Sequence, residues 1–571
     1  MREEKQTQNL RSFSNAITKT LAKRMPTNSS LIHLEDVIYV LVEAINRGDI
    51  YTKLNQDREL LYKGKGWPNE HLKHLLNSGW IKEGIGPIVY KDNRISWYRW
   101  DYEMKSIIKD LIYRNKTIRN ISEIESTAHT LKSRVEIKSA QDKAINSVIT
   151  QNLVLLSGGP GTGKTTTIIK MLAKCISINP NARISLAAPT GKASRRIEGA
   201  LFKYMENNDY EHKESLDNIN CQTLHRLLEA QETKFGRNKN RLLELDVLVI
   251  DEMSMVDIYL MKGLLDALPQ KCQLILVGDP YQLPSIGCGA IWKEIQSDQI
   301  IKEFKVAAVN LNKVYRNRGA IASLAEVLRN NELSSFWKEI QKLPEQSNVC
   351  ISFHNKRLIP EFLIQKVTTY QQSLKSLASL ISKELYNMSK QRSPSNERSE
   401  SYLLDQLSSI LDEFVVLCPR RLGPWGVREL NKAILGRCLE RGVMHWPEGT
   451  PVICGENQPE LGLSNGDVGL IVGSDSSKSL LFVVDIGQKG KSHNIIHPAR
   501  LRKVDPAFAL TIHKSQGSEA KEVVLLWPDD WQSSIHSITN NKNTNYEKSL
   551  IYTGITRARE SLTLVLDQKN S

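Results

Sequence analysis

The stretch LVLLSGGPGTGKTTT, residues 153–167, prescribes a strand, a tight turn and a helix in that order. Leu153 to Leu156 is an apolar run suited to a buried strand. Gly158, Gly159, Gly161 and Gly163, with Pro160 and Thr162 between them, let the backbone turn tightly and aim its amides at phosphate oxygens. Lys164 adds a point charge for the β- and γ-phosphates, and Thr165 offers a hydroxyl to Mg²⁺. A helix expected from Thr166 onward turns its positive end to the anion. The motif names ATP with Mg²⁺ as the fuel and says nothing of the work done, because such loops serve many functions.

The surrounding chain narrows the choice. At 571 residues, roughly three or four domains are expected. Lys and Arg number 77 against 63 Asp and Glu, a net charge of +14. That surplus favours a polyanion such as nucleic acid, although charge alone would equally suit a soluble basic surface. The 8 cysteines are scattered without CxxC pairs, so neither a zinc site nor an iron–sulfur cluster is indicated. Reduced thiols of a cytoplasmic protein are the expectation. No apolar run reaches transmembrane length, so no membrane role is expected. Glu3 and Glu4 and the lack of an apolar core argue against a secretory signal.

An α/β fold follows from the periodicity. Residues 1–125 carry no nucleotide motif and suggest a small, mostly helical domain, structural or docking in role. Leu31 to Ile45 predicts a helix, WPNEHLKHLLNSGWI another, and PIVYKDNRISWYRW a hairpin with an Asp-Asn turn. Between Ala140 and Val314, ISLAAPT, DVLVIDE and QLILVGDP are short buried strands ending in polar residues, the pattern of a parallel sheet with its site at the strand ends. Residues 321–411 are helix-rich, with KQRSPSNERSES expected as an exposed loop. A second α/β pattern starts at EFVVLCPR. Residues 446–503 predict a small β-barrel inserted into it, and the α/β pattern resumes over 504–571.

Several polar motifs stand at strand ends. Asp251 and Glu252 follow four apolar residues and supply a carboxylate for the Mg²⁺ shell and a group to orient the attacking water. Thr165 and Asp251 are therefore the candidate metal ligands. Gln282 in VGDPYQLPS can touch a γ-phosphate, or can be a turn residue. Gln141 in SAQDKAI, together with the loop through Thr166, can bind the nucleotide by reading the adenine edge, or can belong to a helix N-cap. Arg316, Arg557 and Arg559 lie in the second half, where arginines can neutralise transition-state charge across a cleft. Pro189, Thr190, Lys192, Thr223, His225, His513, Lys514 and Ser515 supply hydroxyls, amides and cations suited to a single-strand backbone track. Any one of them could instead cap a helix. The acids outside the ATPase motifs are dispersed, so no nuclease site is expected.

The ordered set SAQDKAI, GGPGTGKTTT, AAPTGKASRRI, TLHRLL, VIDEMSM, GDPYQLPS, YRN, TIHKSQGSE and YTGITRARE resembles superfamily 1 DNA helicases over residues 139–565. Through VVLCPRRLGPWGVRELN and LGLSNGDVGLIVG it is similar, more narrowly, to the RecD family, the α subunits of RecBCD enzymes (exodeoxyribonuclease V). The resemblance implies two RecA-like P-loop lobes, over 126–315 and over 316–445 with 504–571. It implies ATP between them, single-stranded DNA across their top, and 5′-to-3′ unwinding of double-stranded DNA during double-strand break repair and homologous recombination. It also implies RecB-like and RecC-like partners in a heterotrimer, with residues 1–125 docking on the RecC-like chain. Lys164, Thr165, Asp251, Glu252, Gln282, Arg316 and Arg557 fall on the family's ATPase motifs. Gln141 matches its adenine-reading glutamine, and Gly517 and Glu519 match the motif coupling DNA contact to nucleotide. AQETKFGRNKNRLLEL lies where the family inserts a short strand-splitting hairpin, but its composition is basic rather than hairpin-like. A stand-alone RecD-like helicase is the alternative, and an ATP-switched DNA clamp a more distant one.

Overall fold

A computed structural model describes residues 2–54, 66–117, 139–207, 213–217, 219–231, 234–285, 287–315, 319–344, 346–390, 396–473, 478–485, 491–529 and 542–568. Its N-terminal part holds helices Arg2–Arg24, Leu31–Asn46, Asn69–Asn77 and Tyr98–Lys116 beside a small sheet of β1 (Thr52–Lys53), β2 (Ile88–Lys91) and β3 (Arg94–Trp97). β2 and β3 form the expected hairpin, with Asp92 at φ 52° and Asn93 at φ 57°. Two successive positive φ values match the right-handed twist of the strands, and Asp and Asn tolerate them better than most residues.

The first lobe is built on six parallel strands in the order β6-β5-β7-β8-β4-β9. They are β4 (Leu153–Gly158), β5 (Ile184–Ala188), β6 (Asn220–Thr223), β7 (Val247–Ile250), β8 (Gln273–Gly278) and β9 (Ala308–Leu311). Alternation divides the central strands between two cores. Leu153, Leu155, Leu248, Ile250, Leu274 and Leu276 face one side, and Val154, Leu156, Val247, Val249, Ile275 and Val277 face the other. Burial on both faces is why these strands read as unbroken apolar runs. Helix Tyr98–Lys116 belongs by packing to this lobe: Met104, Ile107 and Leu111 lie in the first of those cores. Arg114 donates to the carbonyls of Pro269 at 3.0 Å and Leu268 at 3.1 Å.

The second lobe has five parallel strands in the order β10-β19-β18-β11-β17. Between β10 (Val349–His354), β11 (Phe414–Cys418) and the later members stands an antiparallel sheet of β12 (Pro451–Cys454), β13 (Val468–Val472), β14 (Ser479–Asp485), β15 (Lys491–Ile496) and β16 (Val504–Pro506). The lobe closes with β17 (Ala509–Thr511), β18 (Ala520–Trp527) and β19 (Ala558–Asp567).

Four sequence expectations need correction. The inserted unit is not closed by hydrogen bonding among the described residues: its order is β15-β14-β13-β12-β16, with β15 and β16 as edges. Its fifth strand also runs past residue 503. The physical reason is cover from helices, since Leu470, Val472 and Leu481 pack against Leu374, Leu377, Ile381, Leu404 and Leu407 of helices Glu361–Lys390 and Asn396–Leu411. Second, Asn396–Ser401, expected as loop, begins the second of these helices, and residues 391–395 lie outside the described residues. Third, the segment after Leu228 does double back, through antiparallel bridges Ala230↔Phe235 and Asn238↔Arg241. Glu229 holds it by pairing with Arg237 at 2.8 Å and Arg241 at 2.6 Å, which explains the basic composition. Fourth, the phosphate-loop helix starts at Lys164, two residues before the expected Thr166.

None of the eight cysteines is joined in a disulfide. Among the described residues no helix is long and apolar enough to cross a membrane, and no cluster of His, Cys, Asp and Glu could hold a metal by itself.

Candidate active site

The glycine loop after β4 turns through Gly161 at φ 71° and Gly163 at φ 83°. At Gly163 the positive φ strains any other residue, and a Cβ there would also displace the Gln141 amide, 2.6 Å away. Lys164 begins the helix and folds back over the loop, donating to the carbonyls of Gly158 at 2.8 Å and Gly159 at 2.9 Å. Thr162 donates to Gly159 O at 2.8 Å, so the loop holds its shape from within.

A cleft of about 440 Å³ opens beside this loop, between the lobes. The first lobe lines it with Gln141, Pro160, Gly161, Gly163, Lys164, Thr165, Thr166, Arg196, Asp251, Glu252, Gln282 and Tyr315, and the second with Glu519 and Arg557. Most residues expected at an ATPase centre thus share one space. Gly158, Gly159 and Thr162 do not line it. Arg316 lies outside the described residues. Arg559 turns elsewhere, donating to Asp412 O at 3.4 Å.

Charge and burial define the chemistry. Asp251 is buried, and desolvation, reinforced by Glu252, raises its pKa to about 6 against the pull of Lys164. Its Oδ1 has no hydrogen-bond partner among the described residues. Glu252 follows in a left-handed conformation at φ 54°. A buried, unsatisfied carboxylate oxygen and the Thr165 hydroxyl in one cleft form a donor set that fits Mg²⁺. Gln282 Nε2 donates to Asp279 at 3.3 Å, while its Oε1 is buried without a partner. That leaves one oriented acceptor for a water. Arg557 is buried, which lowers its pKa against the pull of Glu252 and Glu519. Its Nε donates to Thr553 O at 3.0 Å and its Nη1 to Ser518 O at 3.1 Å.

Sequence reasoning named Glu519 but gave no role to the other residues that bind the lobes to each other, although the quoted motifs contain them. The loop carrying Gln282 is tied to the second lobe twice: Leu283 N donates to Thr553 Oγ1 at 2.9 Å, and Gln516 Nε2 donates to Leu283 O at 3.0 Å. Tyr552 Oη donates to the buried Asp279 at 2.9 Å. Arg196 pairs with Glu519 at 3.2 Å. Tyr315 N donates to Gly161 O at 2.8 Å and its ring borders the cleft. Its only sequence signal was its place beside Arg316. The N-cap that Gln141 might have formed belongs to Ser139, whose hydroxyl accepts from Asp142 N at 3.1 Å. Gln141 instead donates to Thr162 O at 3.3 Å.

The expected strand-binding residues are more mixed. Pro189, Thr190 and Lys192 bracket the start of helix Gly191–Asn207, and burial pushes the Lys192 ammonium down against the pull of Asp412 and Asp467. His225 is exposed. Thr223 caps the next helix, accepting from Arg226 N at 3.2 Å. Ser515 is buried and donates to Ile512 O at 2.8 Å. Lys514 pairs with Asp505 at 2.8 Å. His513 meets Tyr546 Oη at 3.1 Å, and burial pushes its pKa down, so at neutral pH it is a hydrogen-bonding ring and not a cation.

Residues 141–288 match the AAA domain family, and residues 506–565 match the UvrD-like helicase C-terminal domain. Over 552 residues the chain is 28% identical to the RecBCD enzyme subunit RecD of Buchnera aphidicola subsp. Acyrthosiphon pisum, covering 89% of this chain and 85% of that one. It is 30% identical to the same-named subunit of Mycolicibacterium smegmatis, covering 74% of this chain and 70% of that one. Similarity to the ATP-dependent RecD2 DNA helicase of Deinococcus radiodurans is 24%, covering 75% of this chain and 49% of that one. A crystal structure of Bacteroides Pif1 bound to ssDNA overlaps 76% of this chain and 92% of its own at 17% identity and a TM-score of 0.39, and at that score the overlap carries no weight.

Proposed function

Because the chain belongs to the RecD family, we propose that it is an ATP-driven DNA helicase, the 5′-to-3′ motor of a RecBCD-type complex in double-strand break repair and homologous recombination. The observation that carries this reading is the cleft whose loop, carboxylates and glutamine come from one lobe and whose arginine comes from the other. RecB-like and RecC-like chains are the proposed partners, DNA the substrate and the cytoplasm the location. Identity is 28% and 30% with the two RecD subunits and 24% with RecD2, which favours the subunit over the stand-alone helicase.

In this reading ATP lies on the loop of Gly158–Thr166, with Gln141 at the base and Lys164 on the β- and γ-phosphates. Thr165 and Asp251 hold Mg²⁺, which when bound neutralises charge on the phosphate oxygens. Glu252 and the Gln282 Oε1 orient the attacking water. Arg557, with Arg316, meets the charge that develops on the γ-phosphate. Since Gln282's loop is bonded to Thr553 and Gln516, movement at the γ-phosphate reaches the second lobe directly. Pro189, Thr190, Lys192, Thr223, His225, His513 and Lys514 form the proposed strand track, with the buried Ser515 shaping it from beneath through its bond to Ile512 O. The proposed units are a docking part over 1–97, a first lobe that takes in helix Tyr98–Lys116 and runs to 315, a second over 316–445 and 507–571, and the inserted unit over 446–506.

Arg557→Ala should reduce DNA-stimulated turnover by about 10²- to 10³-fold, less than the largest arginine-finger effects, and change ATP affinity far less. Arg557→Lys keeps the charge and loses the fork, so it separates charge from geometry. Equal losses in binding and turnover would argue against the assigned role. Single-strand affinity should fall linearly with salt on logarithmic axes, by a slope of about 0.7 per phosphate contacted. To test the whole reading, the tagged chain is purified from its own cells and its partners are identified by mass spectrometry. Two large partners, one bearing a nuclease domain, are the expected result. A lone chain that unwinds 5′-tailed duplex would keep the motor and remove the docking role of residues 1–125. ATP turnover without directional movement would make the protein a clamp.

A further inference from the structure

Helix Gly191–Asn207 carries adjacent arginines, and successive residues on a helix point about 100° apart. Arg195 and Arg196 therefore leave it in different directions, yet both end on acids of the second lobe. Arg196 reaches Glu519 inside the nucleotide cleft, where Glu252 and Asp251 also act on its charge. Arg195 pairs with Asp467, in the turn before β13 of the inserted sheet. Asp467 is itself fixed, accepting from Ser464 N at 2.8 Å. The same turn presses on the first residue of the helix, since a Cβ on Gly191 would lie 2.0 Å from Ser464 Oγ. One helical turn thus touches the nucleotide cleft on one side and the inserted sheet on the other.

The two ion pairs differ in kind. Arg196 and Glu519 are 39% and 17% exposed, so water reaches the arginine side of the pair and its contribution is small. Arg195 and Asp467 are 18% and 4% exposed, so separating them would leave a largely desolvated carboxylate without its cation.

We propose that Arg196 and Arg195 are positioning residues that couple nucleotide occupancy to the grip of the inserted sheet on Pro189–Lys192. The proposal rests on the motor reading and adds to it the element that joins fuel to track. A triphosphate in the cleft competes with Glu519 for the Arg196 guanidinium. The pair that exchanges moves the first turn of the helix, and the pair that holds carries that displacement into the Ser464–Asp467 turn. Because coupling is reciprocal, a strand bound under that turn alters nucleotide affinity by the same factor.

The test measures that factor. A labelled oligothymidylate is titrated with the full chain, with and without a magnesium complex of a non-hydrolysable ATP analogue. The wild-type chain should change its DNA affinity within the usual range for coupled sites, about 5- to 150-fold. Arg195→Gln should reduce the factor to less than about 2-fold while still binding the analogue, and Arg196→Gln should lose the factor at analogue concentrations raised to saturate its weakened cleft. The exchanged pair Arg195→Asp with Asp467→Arg should restore most of it, and the recovery guards against simple misfolding of the single variants. Single variants that keep the wild-type factor overturn this proposal alone. A wild-type chain whose DNA affinity ignores the analogue would remove the motor reading and this proposal together.

Discussion

Lys164→Ala is expected to lower ATP hydrolysis by at least about 10²-fold, the scale for removing one group aimed at developing charge. The fold should survive. Lys164 is the only ammonium bonded to the loop carbonyls of Gly158 and Gly159 among the described residues, but the loop is also held by the Thr162 to Gly159 bond and by its helix. Those carbonyls border an open cleft and can take water when the ammonium is gone. The variant should therefore melt close to the wild type and keep much of its DNA affinity, since the proposed track lies on other segments. Steady-state ATPase and thermal melts check both halves. Activity near the wild-type value would remove the ATPase assignment altogether.

Asp251→Asn should separate stability from activity. The folded protein holds the Asp251 carboxyl at about 6 against an ordinary 3.8, because burial and Glu252 disfavour the charge. Between those values the native state binds more protons than the unfolded chain, so stability falls as pH rises through that window. Above it the ionised carboxylate destabilises the nucleotide-free fold by on the order of 1–3 kcal/mol. The asparagine variant carries no such charge. Without nucleotide at pH 7.5 it should melt a few degrees higher than the wild type, and the difference should vanish near pH 4. Adding the magnesium–nucleotide complex should reverse the order, because the wild type gains binding free energy that the variant lacks. A variant less stable than the wild type at pH 7.5 without nucleotide would mean that Asp251 is held by partners and is not strained.

Local chemistry was legible in the sequence. A glycine loop, a carboxylate pair after four apolar residues and an Asp-Asn turn each carry their geometry within a few positions, and the structure has all three. What escaped reading depends on partners far along the chain. The role of Arg196 depends on Glu519, more than 300 residues later, standing opposite it. Asp279 and Tyr552 form one buried bond across the lobes, and although GDPYQLPS and YTGITRARE contain them, nothing within either motif announces the pairing. The inserted sheet read as a barrel because its strands are short and turn-rich. The helices that cover it are remote, and the opening of one, Asn396–Ser401, is so polar that it resembled a loop. The apolar spacing of Leu404 and Leu407, which anchors that helix, begins only after it.

The packing of helix Tyr98–Lys116 has a mechanical consequence. Its apolar side chains share the core of the first lobe, its Arg114 is bonded to that lobe's backbone, and Gly48 O accepts from Ala290 N at 2.9 Å close by. The N-terminal part is thus welded to the half of the motor that holds the phosphate loop, while Arg47 also acts across a gap on the charge of Glu547 in the other half. Whatever grips residues 1–117 acts as a mounting bracket: it holds the first lobe as the stator, and each stroke emerges as travel of the second. A flexible joint at that position would waste the stroke as recoil, which gives the buried seam between helix and lobe a job beyond stability.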